Sequence, residues 1–191
     1  FGMVGLSTPF PLATPLDLCA FGGGAYWNME LNGGPPSPRT MAQQTVNARE
    51  LFNVKKNTAG IQAAVILGLT PESTTFNADA TLTVQFNTST GGLGLIALNC
   101  NGYVMEPIEH TDKEAAMVYT TLDVLYNFST RTFSADLVLN GNVPKATPLF
   151  EVNGHVSFYR SPSLWYFKAG TPAEPIGLGI DVLPLNATAG A

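Results

Sequence analysis

Few side chains in this sequence could carry acid-base or nucleophilic chemistry, and their spacing has no family specificity. Asp123, Asp136 and Glu109 are carboxylates that a glycoside-cleaving acid-base pair would draw on. Asp123 and Asp136 fall on the polar side of one predicted hairpin and could approach across it. His110 and His155 with a hydroxyl nucleophile are the other combination. The most charged stretch runs from Glu106 to Glu114. Its Glu106, Glu109, His110, Asp112 and Glu114 could gather oxygens around a cation or present a general base. The stretch lacks the Asp-x-Asp-x-Asp-Gly spacing of a calcium loop. A histidine beside carboxylates also needs a nucleophile, which the sequence does not supply. A solvated hairpin loop and solvated strand carboxylates are the plainer reading. No catalytic residue, metal site or cofactor is therefore assigned, and the chain is expected not to be an enzyme.

Two cysteines, Cys19 and Cys100, stand far apart. A disulfide between them would suit an exported protein, and two small buried thiols are the alternative. Two distant Cys and two distant His do not make a zinc spacing. Asn87, Asn127 and Asn186 each open an Asn-x-Ser/Thr sequon, which matters only if the source glycosylates. Gly22-Gly23-Gly24 suggests a phosphate cradle at first sight. No second half of a dinucleotide fingerprint and no Lys-Ser/Thr pair follows, so a bulge or a close backbone approach is the better reading. Trp27, Trp165, Tyr166 and Phe167 are candidate packing or binding aromatics. Such rings anchor cores and interfaces, or, when exposed, offer stacking platforms to a sugar.

The elements that must position these residues are legible through a repeat. Thr81-Leu82-Thr83-Val84-Gln85-Phe86-Asn87-Thr88-Ser89-Thr90 recurs as Thr121-Leu122-Asp123-Val124-Leu125-Tyr126-Asn127-Phe128-Ser129-Thr130, without a gap. Ala80, Leu82, Val84 and Phe86 alternate with Thr81, Thr83 and Gln85, which gives a strand one apolar and one polar face. Each copy turns through Asn, Ser, Thr or Gly and returns as a second alternating segment. The unit is a β-hairpin, and half-buried alternation favours an antiparallel sheet. A looser third hairpin joins Glu151–Arg160 to Leu164–Ala169. Leu178, Ile180 and Val182 supply the last strand.

The expected fold is all-β: an antiparallel β-sandwich, or stacked β-hairpins in an open curled sheet. Residues 1–191 read as a single β-rich module. A Pro/Gly-rich entry arm and strand occupies 1–31, and a loop with a short helix candidate over Thr40–Phe52 occupies 32–60. Repeated hairpins fill 61–183, with a polar turn expected over Asn53–Gly60 just before them, and 184–191 is a tail. Ile61 to Leu69, apolar on both faces, is expected to be central or covered on both sides.

Charged residues make up 12% of the chain, about half the usual share, and net charge is -5. The nine Lys and Arg are scattered. That excludes the basic footprint of a nucleic-acid partner. No apolar run approaches the roughly 20 residues of a membrane helix, so no transmembrane segment is expected. No basic flank followed by an apolar core opens the sequence, so it reads as a processed product or as a segment of a longer chain.

Phe21-Gly22-Gly23-Gly24-Ala25-Tyr26-Trp27, the Asn77-Ala78-Asp79 hairpin and the run from Leu164-Trp165-Tyr166-Phe167 through Gly170-Thr171-Pro172 to Ile176-Gly177-Leu178 carry a resemblance. The chain resembles, from about Phe21 to Ile180, segments of very large, uncharacterised β-rich proteins of Bacteroidota. It departs from them at Trp27, where Tyr is expected, and at Ala169, where an aliphatic residue is expected. The resemblance implies an exported or surface-associated parent and no activity. Function is therefore expected to be structural: an extracellular or cell-surface module that assembles through sheet and apolar contacts with itself or with other segments. The alternative is a β-groove or barrel that holds a small apolar ligand or a carbohydrate.

Overall fold

The computed structural model describes residues 1–32, 51–69, 72, 74–108, 116–144, 149–170 and 175–180. They form ten strands: β1 (Gly2–Ala13), β2 (Leu16–Leu31), β3 (Phe52–Leu69), β4 (Phe76–Asn87), β5 (Gly92–Val104), β6 (Val118–Asn127), β7 (Thr132–Val143), β8 (Phe150–Arg160), β9 (Trp165–Ala169) and β10 (Gly177–Ile180). All pairings are antiparallel, and from β1 to β8 each strand pairs with its neighbours in sequence. β9 and β10 share the far side of β8: β9 pairs with Val156–Arg160, and β10 with Phe150–Asn153. They act together as one interrupted edge strand.

The all-β antiparallel expectation holds, and so does the hairpin repeat, which is β4–β5 followed by β6–β7. The sheet is open and uncurled. A β-sandwich does not form among the described residues. A sandwich needs connections that leave one sheet for another, whereas here every strand from β2 to β8 follows directly beside its predecessor.

The two repeat turns are built alike. Asn87 Oδ1 accepts from the backbone N–H of Ser89 (3.0 Å) and Thr90 (3.3 Å). Asn127 Oδ1 accepts from Ser129 (3.0 Å) and Thr130 (3.1 Å). These side chains imitate a backbone turn, and that is why Asn opens both.

One expectation is corrected. The polar turn predicted over Asn53–Gly60 is the first half of β3, where Phe52, Asn53 and Val54 pair with Leu31, Glu30 and Met29. An ion pair between Lys55 and Glu30 ties this projecting end together. Backbone pairing outweighs the weak strand propensity of Asn and Lys here. The helix candidate over Thr40–Phe52 lies outside the described residues except for Leu51 and Phe52, and Phe52 opens β3. β3 is central, as expected for a strand apolar on both faces, and its apolar face is uncovered at Ile61, which is 52% exposed.

The glycine triplet is a close backbone approach, as read. A Cβ on Gly22 would stand 2.3 Å from the carbonyl oxygen of Gly2, and one on Gly23 would stand 2.6 Å from that of Gln62. The strand irregularities fall on either side of the triplet, between Leu18 and Ala20 and between Trp27 and Met29.

Candidate functional site

Directly opposed residues of an antiparallel pair share a face, so the register assigns every paired side chain. Leu82 stands opposite Ala63 and Leu98, Leu98 opposite Val124, and Val124 opposite Ala135. The row continues through Phe158 to Phe167. One step along, Thr83 stands opposite Gln62 and Ala97, and Thr81 opposite Ala64 and Asn99. The sheet therefore has one apolar face and one polar face across its full width.

Burial runs against the usual order. In β4, Thr83 is 0% exposed and its apolar neighbour Leu82 is 42% exposed. Asn77, Asp79, Thr81, Asn99 and Asn101 are buried on the same polar face as Thr83. The alternation is as read from sequence, but the face that would ordinarily form a core is the open one.

Polar burial of this extent needs hydrogen bonds, and the face is laced with them. Asn101 Nδ2 donates to Asp79 Oδ1 (2.8 Å) and Asn99 Oδ1 (2.9 Å), while its own Oδ1 accepts from Thr121 Oγ1 (3.2 Å). Gln62 Nε2 donates to Thr83 Oγ1 (3.1 Å), and Asn99 Nδ2 to Asp123 Oδ1 (2.7 Å). Ser157 Oγ donates to Asp136 Oδ1 (2.5 Å), and His155 Nε2 lies 3.5 Å from the same oxygen. With Asn140 Nδ2 donating to Tyr119 Oη (3.1 Å) between β7 and β6, such bonds join every neighbouring pair of strands from β3 to β8.

Of the proposed acid-base residues, Asp123 and Asp136 do meet, as direct cross-strand partners. His155 joins them through Asp136. Glu109, His110, Asp112 and Glu114 lie outside the described residues. Glu106 is buried rather than solvated, and its carbonyl accepts from Asn77 Nδ2 (2.6 Å). Backbone bonding at the head of the loop draws it onto the polar face. Among the described residues no group of three or more Cys, His, Asp or Glu could hold a metal ion.

No disulfide joins Cys19 and Cys100, which corrects the disulfide candidate. They lie on β2 and β5, three strand spacings apart, or about 14 Å across the sheet, well beyond bridging reach. Asn87 and Asn127 sit at the hairpin turns, and Asn186 lies outside the described residues.

The candidate aromatics are all exposed, with Trp27 at 64% and Trp165 at 68%. Phe167 shares the apolar face with them, whereas Tyr166 takes the polar face and stacks on Tyr159 at 5.4 Å. Tyr103 is a buried ring, and so is Tyr26, next to Trp27. The Tyr26 hydroxyl donates to Gln85 Oε1 (3.2 Å) and its ring meets Phe52 at 5.0 Å. Sequence reasoning passed over Tyr26. Its position opposite Gly60, where the missing side chain leaves room for the ring, was the available signal.

No family model, curated protein or solved structure matches the chain.

Proposed function

We propose that this chain is a non-enzymatic structural module, one section of a β wall in a longer exported or cell-surface protein. It assembles by continuing its sheet across its edges and by covering its apolar face. The observation that carries this reading is the single-layer sheet with its apolar face open, from Ile61 through Leu82 to Leu137. Exposed apolar area of this extent marks an interaction surface. Both edges can extend the sheet, with β1 at one side and β9 and β10 at the other. Unpaired edge strands template further pairing. Pro9 and Pro11 remove donors from part of β1, so the Gly2–Gly5 end is its better pairing segment.

Native mass spectrometry of the unreduced chain tests this. Multimers without added mass are the expected result, and a monomer without added mass would overturn it. A monomer carrying a small-molecule mass would favour a second reading, a module that binds an apolar ligand or a carbohydrate. The exposed Trp27 and Trp165 rings support that alternative as stacking platforms.

A further inference from the structure

Rings bound the apolar face at both ends; the rings between them, Phe21, Phe158 and Phe167, are all phenylalanine, and charge is kept off that area. On β4, Phe76 and Phe86 close the two ends, and Ala78, Ala80, Leu82 and Val84 fill the interval. At the end with the repeat turns, the row of rings continues as Trp27 on β2, Tyr126 on β6, Phe133 on β7 and Trp165 on β9. At the other end, Phe10 on β1 and Phe150 on β8 accompany Phe76. Asp17, Asp79, Asp123, Asp136, Glu151 and Lys168 all take the polar face. Arg160 is on the apolar face, but level with Phe133 and Trp165 at its border. Beside it a cleft is lined by Arg131, Tyr126 and Phe158.

The dimensions select the occupant. Ten residue steps separate Phe76 from Phe86. At about 3.4 Å per residue and a tilt of about 45°, they rise roughly 24 Å, close to the ~25 Å apolar band of a membrane-spanning β-barrel. Aromatic girdles at both borders, apolar residues outward and polar residues inward are the other marks of such a wall. A second copy packed face to face would also avoid charge, but it would not call for rings and arginines at the borders.

We infer that the apolar face lies against the hydrocarbon of a lipid bilayer, with the aromatic rows at the two headgroup levels and the hydrogen-bonded polar face turned to the interior of the wall. No helix among the described residues is long and apolar enough to cross a membrane, and the crossing elements here are strands. Hydrocarbon cannot satisfy a free strand edge, so β1 and β9/β10 must pair with neighbouring strands. The inference therefore rests on the edge assembly proposed above.

The two tryptophans of the chain, Trp27 and Trp165, both lie on this face at one border and report on it directly. The full chain is refolded with phosphatidylcholine vesicles whose acyl chains are brominated either near the headgroup or near the methyl end. Quenching of both tryptophans is expected, stronger with bromine near the headgroup, and Trp27→Phe and Trp165→Phe should each retain it. Leu82→Arg, at mid-band, should weaken partition into vesicles by about 30-fold or more. Lys168→Gln, on the polar face, should leave partition unchanged. Unquenched tryptophans in a chain whose far-ultraviolet circular dichroism shows a formed sheet would overturn the inference, as would undiminished partition of Leu82→Arg. If the unquenched chain still multimerises, the structural module stands without the membrane. Quenching of a chain that cross-linking shows to be monomeric would overturn edge assembly between chains, and would leave bilayer contact standing only with β1 paired to β9 and β10 of the same sheet.

Discussion

Gly91 and Arg131 occupy the same position in the two repeat turns, and both have left-handed backbones, with φ of 72° and 54°. Glycine bears this conformation without a Cβ penalty, whereas for other residues it costs about 1–2 kcal/mol. Arg131→Gly should therefore stabilise the sheet by about 1 kcal/mol, and Gly91→Ala should destabilise it by a similar amount. Urea unfolding followed by far-ultraviolet circular dichroism checks both, through opposite shifts of the midpoint at unchanged slope. Equal shifts of the same sign would show that the turns are not equivalent.

The Tyr26 ring lies over Gly60. A Cβ there would stand 2.1 Å from Tyr26 Cζ. The ring is pinned by its hydrogen bond to Gln85 and its contact with Phe52, so it has little room to yield. Gly60→Ala should cost about 1–3 kcal/mol, as overpacking does. Gly5→Ala, where a Cβ meets nothing within 4 Å, is the matched control and should lie near neutrality. Comparing the two unfolding midpoints separates the clash from a general effect of removing glycine.

How far the sequence disclosed this arrangement follows from what alternation encodes. Asn87 and Asn127 announced the two turns, and the hydrophobic period of two placed Leu82 and Leu122 on one face and Thr81 and Thr121 on the other. Alternation is symmetric, however: it says that Thr83 and Leu82 oppose one another, not which of them meets solvent. Long-range placement decides that, as when Asn77 reaches the carbonyl of Glu106. Trp27 and Tyr26 show the same ambiguity one residue apart. The first half of β3 was hidden for a different reason. Asn53, Lys55, Lys56 and Asn57 read as turn residues locally, and only long-range pairing makes this stretch strand: Asn53 pairs with Glu30 at the far end of β2, and the next three fall at the register shift between Trp27 and Met29. The separation of Cys19 from Cys100 depends on the strand order, which two isolated cysteines do not encode.

Asn101 is a junction of the polar face, bonded to three other side chains. Truncation to Ala would remove two donated bonds and one accepted bond, leaving Asp79, Asn99 and Thr121 to make new arrangements in a buried setting. A loss of about 1–3 kcal/mol is expected from the stranded partners. A double-mutant cycle of Asn101→Ala with Asp79→Ala should show coupling, because the two side chains share a buried hydrogen bond. Additive effects would mean that the contacts contribute separately.

Asp123 and Asp136 oppose one another directly, and like charges so placed destabilise a sheet by about 0.2–1 kcal/mol. Each has its own relief: Asn99 donates to Asp123, while Ser157 and His155 stand against Asp136. Asp123→Asn removes the repulsion and keeps an oxygen for Asn99, so the variant should be more stable than the parent by up to about 1 kcal/mol at neutral pH. Added salt should shrink the gain, because both carboxylates are partly accessible and screening already weakens their repulsion. Asp136→Asn should gain less or lose stability, since it also gives up the charge facing His155. The order of the two variants, read from unfolding midpoints at low and high salt, decides whether the pair is a repulsive contact tolerated by the polar network. If Asp123→Asn proved less stable than the parent at low salt, the charge on Asp123 would be needed to hold Asn99 in place.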